Sequence, residues 1–129
     1  MVIVLPWPDR RLSPNARVNW RAKAAPKKKA RADAALATYA ALDRGLRDVR
    51  AEMAGDDPIP LTIRFYPPDA RRRDRDNAQA SLKHALDGIA DALAVDDYRF
   101  RPMYEFADPV APGRVEVELG HEATRRAAA

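Results

Sequence analysis

Asp74 and Asp76 stand two residues apart inside a strongly basic run, Arg71-Arg-Arg-Asp-Arg-Asp-Asn77. In an extended segment that spacing puts both carboxylates on one side of the chain. Two carboxylates so close repel each other, and a divalent cation removes the cost. Arg71, Arg72, Arg73 and Arg75 would meanwhile draw a phosphate backbone to the same place. Anion recruitment beside a carboxylate-held metal is what metal-assisted phosphodiester hydrolysis requires. The plainer role is structural: Asp76 or Asn77 caps the helix that follows, and the arginines are solvated.

Two further features bear on such a site. Asp96 and Asp97 follow the second expected helix, and one of them could supply a third carboxylate; their plainer role is a turn. Lys83 is the last Lys in the chain. It lies seven positions beyond Asp76, two helical turns and about 10 Å along one helix face. Side chains tilt toward the helix N-terminus, so Lys83 could lean back toward Asp76 and hold a phosphate. Its alternative is an i,i+4 pair with Asp87.

Charge is distributed unevenly around these residues. The 129 residues carry 23 Lys+Arg and 19 Asp+Glu, a formal net charge of +4. From Arg10 to Arg31 there are nine basic residues and no acidic one, whereas Asp87 to Glu122 holds nine acidic residues and three basic ones. A basic arm is the usual electrostatic footprint of a polyanion partner. Zero cysteine excludes disulfide scaffolds, thiolate zinc sites and thiol chemistry, and two histidines supply a zinc hydrolase poorly. Any metal should therefore be a hard one held by carboxylates. No apolar run approaches the ~18 residues of a membrane span, and Pro6 and Pro8 interrupt the apolar start. The expected compartment is the cytoplasm.

The elements that must position these residues follow from patterning. Val2 to Leu5 reads as a short buried strand, with Trp7 anchored to the core behind it. Leu12 to Pro26 reads as a loop. Leu36, Tyr39, Leu42, Leu46, Val49 and Met53 recur at helical intervals, which predicts a helix over 27–53 with that stripe in the core. Leu61, Ile63 and Phe65 alternate with Thr62, Arg64 and Tyr66 in a half-buried strand. Leu82, Leu86, Ile89 and Leu93 mark a second helix. Tyr98 to Phe106 and Arg114 to Leu119 are two more alternating runs. The order β-α-β-α-β-β predicts an α+β fold, a single domain over 1–122 with a mixed sheet of about four strands and two helices, the last two strands forming a hairpin. Residues 123–129 are expected to fray.

These residues resemble the RusA-type Holliday junction resolvases of bacteria and their phages. The matching pieces are Leu5-Pro-Trp-Pro8, Ser13-Pro-Asn15, Arg72-Arg-Asp-Arg-Asp-Asn77, Ala85-Leu-Asp-Gly88 and Val95-Asp-Asp97, in family order over nearly the whole chain from Val2 to Leu119. The resemblance implies a small homodimeric, Mg²⁺-dependent endonuclease, with Mn²⁺ as a substitute, that nicks four-way DNA junctions symmetrically. It carries the family's catalytic and metal-binding acids onto Asp74, Asp76 and Asp97, its basic residue onto Arg73 and its Asn onto Asn77. The family's usual lysine position is Ala80 here, and Lys83, three residues on, keeps the family's spacing to a following Asp and is its functional equivalent.

The catalytic set expected is thus Asp74, Asp76, Asp97 and Lys83. The expected DNA contacts are Asn15, Arg17, Lys27, Lys28 and Lys29 on the arm, with Arg71, Arg72, Arg73 and Asn77 beside the carboxylates. Branched DNA and a second copy of the chain are the partners; no membrane and no small-molecule cofactor is expected. Two rival readings stand beside this one: a basic nucleic-acid-binding module without catalysis, and a nuclease that prefers flaps or other branched DNA.

Overall fold

In the computed structural model, which describes residues 1–119, three strands carry an uninterrupted apolar face across a mixed sheet. The strands are β1 (Val2–Pro6), β2 (Ile59–Tyr66), β3 (Phe100–Phe106) and β4 (Arg114–Leu119), in the spatial order β1-β4-β2-β3. β4 runs antiparallel to both β1 and β2, and β3 lies parallel to β2. Register aligns Ile3, Val117 and Ile63 in one row and Leu5, Val115 and Phe65 in the next. All six are buried. Such rows form because a period of two sends every second side chain to the same face. Phe106 extends the second row, its ring stacked 4.7 Å from that of Phe65. Arg64 crosses the opposite face between Glu105 and Glu118, at 2.9 and 2.8 Å.

The helices are α1 (Trp20–Ala41), α2 (Leu46–Glu52), α3 (Arg75–Ala80) and α4 (Lys83–Leu93). The α+β class and the four-stranded mixed sheet are as expected, and so is the buried face of β2. Leu82, Ile89 and Leu93 are buried as the second helix's stripe predicts. β1 is buried on alternate residues only, since Val2 and Val4 face outward. Trp7 packs edge-to-face on Phe65 at 6.0 Å, in the anchoring role expected of it.

Several expectations are corrected. The last two strands do not form a hairpin: β2 lies between β3 and β4. The intervening seven residues, 107–113, can span about 23 Å when extended, ample to cross a strand when neighbours lie about 4.8 Å apart. The stretch 12–26 is not all loop. A 3-10 turn occupies Arg10–Leu12, and α1 begins at Trp20, where the Asn19 side chain accepts the Ala22 N–H at 2.9 Å. That cap and the run of good helix formers after it carry the helix through Pro26, which is buried. The helix expected over 27–53 breaks at 42–45 into α1 and α2. The first part of its stripe is corrected too: Leu36 and Tyr39 are exposed, and Ala34 and Thr38 face the core instead, while Val49 is buried and Leu42 and Met53 pack against the core as expected. The small-residue face wins because α1 meets α4 at Gly88, where a Cβ would lie 2.1 Å from the Arg31 carbonyl oxygen. Side chains as large as leucine do not fit so close a crossing. The ion pair Arg31–Asp91, 2.6 Å at Nε and 2.8 Å at Nη2, closes the same crossing.

The second helix is likewise divided, at Ser81–Leu82, between α3 and α4. α4 ends in a left-handed Ala94 (φ 56°), which turns the chain back toward the helix. Within β3, Pro102 pairs with Leu61; proline, which has no N–H to donate, suits an edge strand. The expected tail, 123–129, and the end of the expected domain lie outside the described residues.

Candidate functional site

The turn Asp69–Arg73 links β2 to α3 and is fastened by its own side chains. Asp69 accepts the Arg71 N–H at 3.0 Å and pairs with the Arg73 guanidinium at 2.9 Å. Arg73 Nη1 also donates to the Asp69 and Arg71 carbonyls, both at 3.0 Å. The Arg71 N–H and the Arg73 guanidinium hold the Asp69 carboxyl below its ordinary value. Arg73 lies over the Trp7 ring, 5.5 Å from its centroid, so the N-terminal segment and the basic run are one unit.

Asp74 is the cap of α3: its Oδ1 accepts the Asn77 N–H at 3.2 Å. The expectation that Asp76 or Asn77 caps the helix is therefore shifted to Asp74. The cause is local, since the turn leaves Asp74 with extended backbone while Arg75 already has its place in the helix. Asp76 falls in the first helical turn, so the two carboxylates do not share one side of an extended strand. Asp76 is exposed, and its carboxylate makes no hydrogen bond or ion pair among the described residues. An acidic side chain is favoured there by the unpaired N–H groups of a helix start.

Lys83 opens α4 and does not lean back to Asp76, because the helix is broken between them. Its Nζ lies 2.8 Å from Asp87 Oδ1 and 2.7 Å from Asp97 Oδ2. The expected i,i+4 pair with Asp87 is thus present, and Asp97 rather than Asp76 is the second carboxylate on the ammonium. Asp87 is the contact that sequence reasoning assigned only a structural part; its i,i+4 spacing was the signal. The Lys83 ammonium holds the Asp97 carboxyl below its ordinary value, and Asp87, with Asp97 second, raises Lys83. Asp96 and Asp97 divide their labour. Asp96 Oδ1 accepts the Tyr98 N–H at 2.9 Å and caps the 3-10 turn Asp97–Arg99, while Asp97 faces Lys83.

Topology separates the acidic positions. Asp74 and Asp76 follow the C-terminal end of β2, whereas Asp97 precedes the N-terminal end of β3. β2 and β3 are parallel, so these are opposite ends of the strand pair. Oxygen-only donors suit a hard cation such as Mg²⁺. Among the described residues, however, no three His, Cys, Asp or Glu side chains are grouped to hold a metal ion.

The expected DNA contacts are distributed over three surfaces. Asn15 and Arg17 are exposed ahead of α1. Lys27, Lys28 and Lys29 are consecutive on α1 and so fan out at about 100° steps. Lys29 pairs with Asp33 at 2.5 Å. Lys27 lies near enough to His84 to depress that imidazole's pKa, second only to burial. Arg71 and Arg72 are exposed, while Arg73 is largely committed to its turn. Arg71, Arg73, Asp74 and Asn77 line one open cleft of about 520 Å³, joined there by Arg10 and Trp7 from the N-terminal segment. Among the described residues no helix is long and apolar enough to cross a membrane.

No family model matches the chain. The chain is 42% identical over 106 residues to an uncharacterized protein of Xylella fastidiosa (strain Temecula1 / ATCC 700964). That alignment covers 76% of this chain and 61% of the Xylella protein, so the chain spans about three fifths of its relative's length. The similarity carries no functional name.

Proposed function

We propose that the chain is a metal-dependent endodeoxyribonuclease of the RusA resolvase type, cytoplasmic and dimeric, acting on four-way DNA junctions. The observation that carries this reading is the cleft in which Arg10, Arg71 and Arg73 surround the Asp74 end of α3. Guanidinium groups recruit phosphate, and a carboxylate among them can share a bound cation with that phosphate in addition to capping the helix. Asp76, exposed and without a partner among the described residues, and Asp97 are the other two acids that the resemblance implies. Mg²⁺, held by such carboxylates, would lower the pKa of a bound water and neutralise charge developing on phosphate. The chain's own contribution would be to orient the phosphate: Arg71 and Arg73 bind it and Asn77 donates to it, while the Lys83 ammonium is paired with Asp87 and Asp97. Two protomers would cut the two symmetric strands of a junction.

The rival reading is a basic nucleic-acid-binding module. It is favoured by the capping bond of Asp74 and the ion pair of Asp97, both of which are sufficient structural roles. Asp76→Asn separates the two. The nuclease reading expects Mg²⁺-dependent cleavage of a synthetic four-way junction to fall at least 100-fold, with junction binding kept or tightened. Undiminished cleavage sinks the assignment of Asp76. Parallel assays on a flap and on plain duplex identify the preferred branch.

A further inference from the structure

A second cavity adjoins the arginine-lined cleft. It is a recess of about 280 Å³ walled by Leu5, Leu12, Pro26, Ala34, Leu82 and Ala85. Lys29, Asp33 and Asp9 bring polar groups to its lining. Trp7, Pro8, Asp9 and Ser81 line both cavities, so the recess and the cleft adjoin along one shared wall. One end is apolar and the other is cationic, with an indole between them.

The cationic end is prepared for an anion. The Arg10 side chain has neither a hydrogen bond nor an ion pair among the described residues, and the Arg71 side chain is 79% exposed. Arg73, by contrast, is fixed by Asp69 and two carbonyls, and so presents a guanidinium that loses little freedom on binding. The apolar end is prepared for a flat, weakly hydrated group. Leu5 and Leu82 belong to the core, and beside Pro26, Lys29 and Asp33 α1 supplies only the small side chains of Ala30 and Ala34, which leave the space. Pockets for small ligands commonly have volumes of about 300–1,000 Å³, an apolar lining and a few polar groups.

We propose that the recess and the cleft together take one nucleotide turned out of the DNA stack, its base in the recess and its phosphates on Arg10, Arg71 and Arg73. The inference rests on the reading of the chain as a protein of branched DNA. It adds a means of selecting a branch point: unstacking costs least where stacking is already interrupted, as it is at the open centre of a metal-free junction. Plain duplex, whose bases are fully stacked, would engage the arginines but leave the recess empty.

The test uses the full chain and a synthetic four-way junction carrying 2-aminopurine, whose fluorescence rises when it leaves the stack. Measurements in EDTA exclude cleavage. Expected is a several-fold rise with the probe beside the branch point and no rise with the probe mid-arm. Ala30→Leu, which fills the recess, should abolish the rise. Junction binding without a rise at the branch point overturns this inference and leaves the DNA reading intact; absence of junction binding overturns both. A rise that survives in folded Ala30→Leu protein also overturns it. Should that variant fail to fold, the contrast between branch-point and mid-arm probes in the unaltered protein decides alone.

Discussion

The Arg31 carbonyl oxygen of α1 sits over the Cα of Gly88 in α4, so close that a Cβ at position 88 would lie 2.1 Å from it. Gly88 is thus a packing residue, the point at which the helix carrying the basic arm meets the helix that opens with Lys83. Gly88→Ala should destabilise the fold by about 3 kcal/mol, since main chain rather than a flexible side chain must move. Urea denaturation checks this; a loss under about 1 kcal/mol would mean that the crossing readily opens.

Asp74→Ala removes the α3 cap and should cost about 1 kcal/mol of stability. Asp76→Asn removes no partner among the described residues and should leave the urea midpoint close to that of the parent protein. The pair separates structure from chemistry: if Asp76→Asn destabilises as much as Asp74→Ala, then Asp76 is structural and the nuclease reading loses a carboxylate.

Lys83→Met should raise the Asp97 carboxyl toward the ordinary carboxylate range, as followed by carbon NMR titration. With Lys83 present, the folded Asp97 titrates below its unfolded counterpart. Its contribution to stability is therefore present above the unfolded pKa and is lost as the pH falls through the lower folded value. Asp97 is 41% exposed, so screening limits that contribution to about 0.5 kcal/mol. An Asp97 titration indifferent to Lys83→Met would show that the pair does not persist in solution.

Ala94 holds a left-handed backbone at the end of α4. Glycine adopts that conformation without the Cβ penalty, so Ala94→Gly should stabilise by about 0.5–1 kcal/mol after the entropy of a freer unfolded chain is offset. Thermal unfolding measures it, and a lower Tm would refute it.

What could be read from sequence followed the strength of the apolar signal. β2 and α4 carry large side chains at regular spacing, and their buried faces were plain in Leu61, Ile63 and Phe65 and in Leu82, Ile89 and Leu93. α1 misled because alanine marks neither face. Its large residues, Leu36 and Tyr39, point outward, and the packing that decides its orientation lies sixty residues away at Gly88 and Asp91. The division at Ser81–Leu82 carries no proline or glycine to announce it. The site was legible as a set of residues and not as an arrangement. Local spacing drew attention to Asp74, Asp76, Lys83 and Asp97, but the parallel pairing of β2 and β3, a non-local fact, sets the ends of the sheet at which they stand.

Pro102 bears on how two copies of the chain could join. β1 and β3 are the outer strands of the sheet. At Pro102 the β3 border lacks one amide proton, and a strand added there would leave an acceptor unsatisfied. Growth of the sheet by strand addition is thereby discouraged on that side. β1 carries its proline, Pro6, only at its last position, so a two-fold dimer that shares a sheet would join β1 to β1 over Val2–Leu5 and make one continuous eight-stranded surface, whose two outer margins are β3 strands with a central proline that resists fibrillar extension.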